Sequence, residues 1–207
     1  MRTEGKGPSR AIVIWAALGL AVAVPIAAAA TSPLLAWRGP AYIAACFAGI
    51  VALGLILVQP LLVGGYLPGL PVPRGRRVHR WVGGGLVAAV VFHVAGLWIT
   101  SPPDVVDALL FTSPTPFSPF GVIAMWAVFA AALVVACRRR MGLRPGTWRR
   151  LHGALALVVV TGSVAHALLI EGTMETVSKV GLCLLVLAAT AAVVRSTRLF
   201  ARAPRAR

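Results

Sequence analysis

The chain has 207 residues, of which 59% are hydrophobic and only 12% charged, with a formal net charge of +15. Soluble domains typically carry about 25% charged and about 45–50% apolar residues. The composition excludes a disordered chain, which needs low hydrophobicity. It also argues against a nucleic-acid-binding protein, whose basic residues cover one face of a water-soluble fold. Three cysteines without CxxC spacing predict no disulfide framework. The chain is therefore predicted to lie in a lipid bilayer.

Six apolar stretches are long enough to cross that bilayer as helices, which takes about 20 residues. In chain order they are Ala11–Ala30, Ala41–Gly64, Trp81–Thr100, Phe120–Cys137, Leu151–Ile170 and Met174–Val194. None shows the alternating pattern of a membrane β-strand. The predicted fold class is therefore all-α, a polytopic membrane protein built as a bundle of six transmembrane helices.

Segments with turn chemistry, such as Pro71–Arg77 and Gly142–Gly146, separate the stretches. The longest segment, Ser101–Pro119, begins and ends in residues of this kind. The predicted organisation is an N-terminal tail (1–10), one transmembrane domain (11–195) and a basic C-terminal tail (196–207). Lys179 interrupts the start of the last stretch, and we expect its side chain to reach the interface with its charge in water.

The basic residues predict the orientation. Eighteen of the 20 Lys and Arg residues fall in the two tails and in the second-to-third and fourth-to-fifth connections, whereas Arg38 and Lys179 fall on the other side. Because basic residues favour the cytoplasmic side, both termini are predicted to be cytoplasmic, in an inner (plasma) membrane protein. The first stretch also resembles a secretory signal. Its apolar run is long for one, which favours an uncleaved helix.

The four histidines form two equally spaced pairs. His79 and His93 fall on the third helix and His152 and His166 on the fifth, each pair with thirteen residues between them. Fourteen residues make nearly four helical turns and rise about 21 Å, so each helix shows two imidazoles on almost one face. The two helices run in the same direction. His79 and His152 (the inner pair) then share the cytoplasmic level, and His93 and His166 (the outer pair) share the opposite level.

Two imidazoles facing each other at one level suit the two axial positions of a haem iron, whose potential depends on the axial ligands. Two such levels predict two stacked haems: His79 and His152 bind the inner iron, and His93 and His166 bind the outer iron. Two alternatives remain. Membrane histidines also form helix–helix hydrogen bonds, and a non-haem metal site or a proton relay would use the same residue type.

Arginines cluster beside the inner pair, and Arg77, Arg80 and Arg150 are candidates to bind the haem propionates. Topology alone also accounts for arginines there, as does binding of anionic lipid or of an acidic partner. Small residues lie one turn from the histidines, and Gly83, Gly96 and Gly162 are predicted to leave room for a flat macrocycle. Trp148 is interpreted as part of an interfacial aromatic belt. Trp126 lies deeper, and its two interpretations are packing in the core and packing on a porphyrin.

These residues resemble the ferric reductase-like transmembrane domain family, which includes the membrane parts of ferric reductases and NADPH oxidases and the haem subunit of the periplasmic methionine sulfoxide reductase system. The resemblance rests on the two His-x13-His pairs, the contexts HRWVGG and WRRLHGAL, and the six-span layout, over roughly residues 41–195. It implies that the four histidines bind two b-type haems. It also implies that electrons move from the cytoplasmic to the outer face.

The sequence departs from the oxidases in one respect. It ends soon after the sixth helix and has no G-x-G-x-x-G fingerprint after a strand, so flavin is expected only in a separate partner. The electron donor is then a cytoplasmic flavoprotein or membrane quinol, and the acceptor is an extracytoplasmic metal ion or redox enzyme. The chain is an oxidoreductase component in this interpretation. A non-redox helical scaffold or transporter subunit is the alternative, although transporters favour broken helices and polar midplane residues.

Overall fold

The computed structural model describes residues 7–197, and their secondary structure is entirely helical. The seven α-helices in this part of the chain are α1 (Gly7–Ala30), α2 (Pro40–Gly64), α3 (Val72–Thr100), α4 (Pro102–Leu109), α5 (Ser118–Cys137), α6 (Pro145–Leu169) and α7 (Thr176–Thr197). All except α4 are long and apolar enough to cross a membrane. The protein is therefore an all-α, multi-pass membrane protein, as predicted. The cytoplasmic location of the termini stays a prediction, and residues 1–6 and 198–207 of the predicted tails lie outside the described residues.

Proline sets the start of most helices. Pro lies in the first or second position of every helix from α2 to α6, where its missing N–H leaves no hydrogen bond unmade. At the end of α2, Gly65 takes the left-handed conformation with φ 69°. This backbone geometry closes a helix at little steric cost only for glycine.

Two of the predicted connections are wrong in detail. Val72–Arg80 is helical, so the arginines before His79 belong to the first turns of α3 and not to a turn segment. The segment Ser101–Pro119 contains the short helix α4. The prolines at these two boundaries lie in the first turns of α3 and α4. The prediction failed there because proline occurs both in loops and at the first positions of helices.

The helices pack as two antiparallel pairs with α7 beside them. α2 packs along α3, and α5 packs along α6; α7 contacts both α2 and α6, and α1 lies against α2 and α7. α3 and α6 carry the histidines, yet each packs mainly on the helix before it rather than on the other. The buried core has members on α2, α3, α5, α6 and α7, among them Leu57, Leu86, Val128, Val160 and Val186.

Candidate functional site

All four histidines lie inside the helical bundle and are partly buried. His79 and His93 are on α3, and His152 and His166 are on α6, as the sequence predicts. On each helix the two histidines are fourteen positions apart, which separates the inner pair from the outer pair by roughly 21 Å along the helix axis. The four residues therefore form two groups of two.

The inner pair meets directly. The ring centroids of His79 and His152 are 6.2 Å apart, and the ring planes are inclined by 81°. The two residues are 73 positions apart in the chain, so this approach depends on how α3 and α6 are placed around the core. It confirms the sequence-based expectation that these two imidazoles share one level.

The outer pair is held by backbone carbonyls of neighbouring helices. The Nδ1 atom of His93 lies 2.7 Å from the carbonyl oxygen of Ala45 on α2. The Nδ1 atom of His166 lies 3.0 Å from the carbonyl oxygen of Phe117, at the start of α5. A carbonyl only accepts hydrogen bonds, so each ring carries its proton on Nδ1. Nε2 is then the nitrogen with a free lone pair.

A glycine lies one turn after each accepting carbonyl. A Cβ atom added at Gly49 would stand 3.0 Å from Nδ1 of His93, and one at Gly121 would stand 2.7 Å from Nδ1 of His166. Both imidazoles therefore occupy the space that a side chain at this position would take. The two helix pairs repeat the same arrangement, in which a carbonyl, a glycine four residues later and a histidine of the next helix form a socket.

Sequence reasoning did not find these sockets. Every residue has a backbone carbonyl, so the sequence does not show which carbonyl accepts a hydrogen bond. Gly49 and Gly121 are two of 21 glycines and have no distinguishing sequence context. The one available signal is a repeated distance, since Gly49 precedes His93 by 44 residues and Gly121 precedes His166 by 45. That signal gains meaning only after the antiparallel pairing of α2 with α3 and of α5 with α6 is known.

The inner pair has different surroundings. Nδ1 of His79 and Nδ1 of His152 are buried without a hydrogen-bond partner among the described residues, and the same holds for Gln59 Oε1 and Trp148 Nε1. Buried polar atoms are usually paired, so four unpaired atoms at one level mark an unusual site. Unlike the rings of the outer pair, these two rings have no hydrogen bond from Nδ1 to a backbone carbonyl of the described residues.

An aromatic stack borders the inner pair. The indole ring of Trp148 and the imidazole of His152 are 5.5 Å apart and inclined by only 5°, because residues four apart on α6 lie on one face. The guanidinium of Arg138 lies 4.3 Å from the centre of the Trp148 ring. Trp148 is therefore more than a member of an interfacial belt, since it contacts a predicted ligand.

The three candidate arginines lie near the inner pair on the same helices. Arg77 and Arg80 flank His79 on α3, and Arg150 lies two residues before His152 on α6. All three side chains are exposed, and Arg150 Nε donates to the carbonyl oxygen of Gly146 at 3.4 Å. These arginines are available to an anionic group at the end of the bundle where the inner pair lies.

Three sequence-based interpretations outside the histidines are wrong. Lys179 is only 6% exposed, and its Nζ donates to the carbonyl oxygen of Ile170 at 2.9 Å instead of reaching water. A Cβ on Gly96 or Gly162 would collide with atoms of α2 or α5, so both glycines serve close helix packing. Trp126 is 57% exposed and lies outside the core.

Clusters of metal-binding side chains are sparse. Within residues 7–197, no three side chains of His, Cys, Asp or Glu gather in a way that could hold a metal ion. His79 and His152 meet as two rings, without a third side chain of these types beside them as a tetrahedral site would require.

Comparison with known proteins gives one match. The model of the family described as "Ferric reductase like transmembrane component" matches residues 48–163, which is more than half of the chain. The matched region runs from α2 into α6 and includes His79, His93 and His152; it ends three residues before His166. No curated protein and no solved structure matches the chain.

Proposed function

Since the chain belongs to the ferric reductase-like transmembrane family, we propose that this membrane redox protein binds two b-type haems and carries electrons across the bilayer. His79 and His152 bind the inner haem iron, and His93 and His166 bind the outer haem iron. The observation that carries this proposal is the pairing of four partly buried histidines at two levels of one bundle.

The hydrogen bonds of the outer pair fit this role. Histidines that bind a metal usually donate their other ring N–H to a carbonyl or carboxylate, which fixes the tautomer and the ring orientation. His93 and His166 both meet this condition through Nδ1.

The separation of the inner rings also fits. A metal–imidazole bond is about 2 Å long, so two rings bound to one metal atom have centroids roughly 6 Å apart. The 6.2 Å between His79 and His152 has this size. His79 and His152 would hold the haem, which would supply reversible one-electron chemistry when bound.

The exposed arginines beside the inner pair suit the binding of an anionic group. We propose that Arg77, Arg80 and Arg150 bind the carboxylates of the inner haem. A cytoplasmic flavoprotein or membrane quinol would donate electrons at this end, and a metal ion or redox enzyme would accept them on the outer face of the inner (plasma) membrane. The chain then acts as an oxidoreductase component whose flavin belongs to a separate partner.

A haem-to-protein ratio measured by pyridine haemochrome on the purified protein tests the proposal. We expect two haems per chain and a reducible low-spin b-type spectrum. His93→Ala or His166→Ala should remove one haem and leave the inner one, and His79→Ala or His152→Ala should do the reverse. Exposed Arg139→Gln is the matched control. Protein without haem would return the chain to the class of non-redox scaffolds.

A further inference from the structure

The contacts of Trp148 with His152 and with Arg138 have no part in the function proposed so far. We propose that Trp148 is a positioning residue that fixes the imidazole plane of His152 through its ring face, with Arg138 holding the indole in place. This inference rests on the proposed haem ligation by His152, and its test separates the two.

The geometry is that of a stacked pair. The indole and imidazole rings are nearly parallel at 5.5 Å between centroids, whereas His79 meets His152 almost edge-on at 81°. A parallel neighbour on one face of His152 opposes rotation of the ring about its Cβ–Cγ bond, since rotation would drive ring atoms into the indole. Offset stacks of this kind are favourable beyond the surface they bury.

The hydrogen bonds indicate why His152 needs such a neighbour. The rings of His93 and His166 are oriented by carbonyls of Ala45 and Phe117. Nδ1 of His152 has no hydrogen-bond partner among the described residues. Its orientation therefore depends on the packing of its faces, and Trp148 packs on one of them.

The contacts that Trp148 makes at this site come from the face of its ring. The imidazole of His152 stacks on the indole, and the guanidinium of Arg138 lies 4.3 Å from its centre. Nε1 of Trp148 has no hydrogen-bond partner among the described residues. The proposal therefore assigns the positioning role to the ring and not to the N–H group.

Arg138 ties the stack to the end of another helix. It caps the C-terminus of α5, while Trp148 lies in the first turn of α6. The guanidinium at 4.3 Å from the indole centre is within cation–π range. The contact joins the end of α5 to the start of α6 and holds the indole in place beside the imidazole.

Four variants test the proposal: Trp148→Leu removes the ring, Trp148→Phe keeps a flat ring but removes the N–H, Arg138→Gln removes the cation, and Trp126→Leu is the control at an exposed tryptophan. The readouts are the low-spin electron paramagnetic resonance signal of each haem and the rate of haem loss to apomyoglobin. A merely structural role would not change the inner signal alone.

We expect Trp148→Leu to shift the inner signal and to weaken retention of the inner haem by about two- to tenfold, the value of one aromatic pair. Trp148→Phe should resemble the unmodified protein, Arg138→Gln should shift the inner signal by less, and the outer signal should stay constant in all. If Trp148→Leu gives no folded protein, the comparison of Trp148→Phe with Arg138→Gln decides.

Two results would overturn the proposal: an unchanged inner signal in both Trp148→Leu and Arg138→Gln, or a Trp148→Phe variant as impaired as Trp148→Leu. The second result would assign the function to the indole N–H. Absence of haem from the unmodified protein and from Trp126→Leu would instead contradict the proposed function itself.

Discussion

His93 packs against Gly49 so closely that a methyl group at position 49 would stand 3.0 Å from the Nδ1 atom of the imidazole. The hydrogen bond from this ring to the carbonyl of Ala45, one turn earlier on α2, depends on that closeness. Gly121 and His166 repeat the relationship between α5 and α6. Replacing Gly49 or Gly121 by alanine therefore tests whether the outer imidazoles need the space that a methyl group would fill.

Gly49→Ala and Gly121→Ala should each displace the neighbouring imidazole and weaken binding of the proposed outer haem. Forcing an extra methyl group into a packed site typically has an unfavourable effect of about 1–3 kcal/mol. The haem content and the spectrum of the outer haem measure the effect. Gly19→Ala is the matched control, because nothing lies within 4 Å of a Cβ at that helical position. Equal haem loss in the control would remove the socket explanation.

Replacing Arg77, Arg80 and Arg150 together by Gln should lower the midpoint potential of the proposed inner haem. Nearby cations stabilise the reduced form, which carries one positive charge fewer. The triple variant Arg139→Gln, Arg140→Gln and Arg144→Gln removes the same charge from the same predicted side. Potentiometric titration of both triple variants distinguishes binding of the haem carboxylates from a role in membrane orientation alone. Equal midpoint potentials in the two variants would mean that Arg77, Arg80 and Arg150 only set the orientation. The difference should shrink at high salt, because all three side chains are exposed.

Lys179→Met should destabilise the junction between α6 and α7. The Nζ atom of Lys179 donates to the carbonyl of Ile170, which follows the last residue of α6, and the lysine is only 6% exposed. Leaving a buried carbonyl without its donor has an unfavourable effect of about 1–3 kcal/mol. Thermal unfolding in detergent measures the loss. Thr100→Val, which removes an exposed hydroxyl–carbonyl bond, should unfold nearly as the unmodified protein does.

Glu175 should make the start of α7 sensitive to acid. Its carboxylate accepts from the backbone N–H groups of Ser178 at 2.7 Å and Val177 at 2.6 Å, and these hydrogen bonds lower the pKa of Glu175. A lowered folded-state pKa stabilises the fold fully above the ordinary glutamate pKa of about 4.3. The contribution is lost as the pH falls from there through the lowered pKa.

Unfolding of Glu175→Gln as a function of pH checks this sign. The difference in stability from the unmodified protein should be constant near neutral pH and should shrink below roughly pH 4. A difference that grew on acidification would show that the carboxylate is not the stabilising form. Asp104→Asn makes the same charge change at an acidic residue in the first turn of α4, whereas Glu175 immediately precedes α7.

The histidine pattern was readable from the sequence because it depends on helical period alone. A helix of fixed rise and turn places residues fourteen apart on one face, so the two levels follow from the numbering of His79, His93, His152 and His166. The six spans follow for a similar reason, since bilayer thickness sets the length of an apolar helix. Both features are local along the chain and need no knowledge of which helices touch.

The sequence did not predict which side chains and backbone atoms surround the histidines and other polar residues, because these neighbours come from distant parts of the chain. Lys179 shows the difference: from its position alone it should reach water, yet the packing of α7 against α2 and α6 buries it beside the end of α6. Gly96 and Gly162 also lie beside histidines in the sequence, but they face neighbouring helices. Helical period specifies a face but not the neighbour that covers it.

The sequence by itself thus determined that the chain crosses a bilayer and carries imidazoles at two levels. Tertiary structure decided that the outer imidazoles rest on carbonyls of Ala45 and Phe117 while Trp148 stacks on the inner one. The physical reason is that apolar length and helical period are properties of consecutive residues. Backbone acceptors and ring contacts between helices exist only once α2 lies along α3 and α5 along α6.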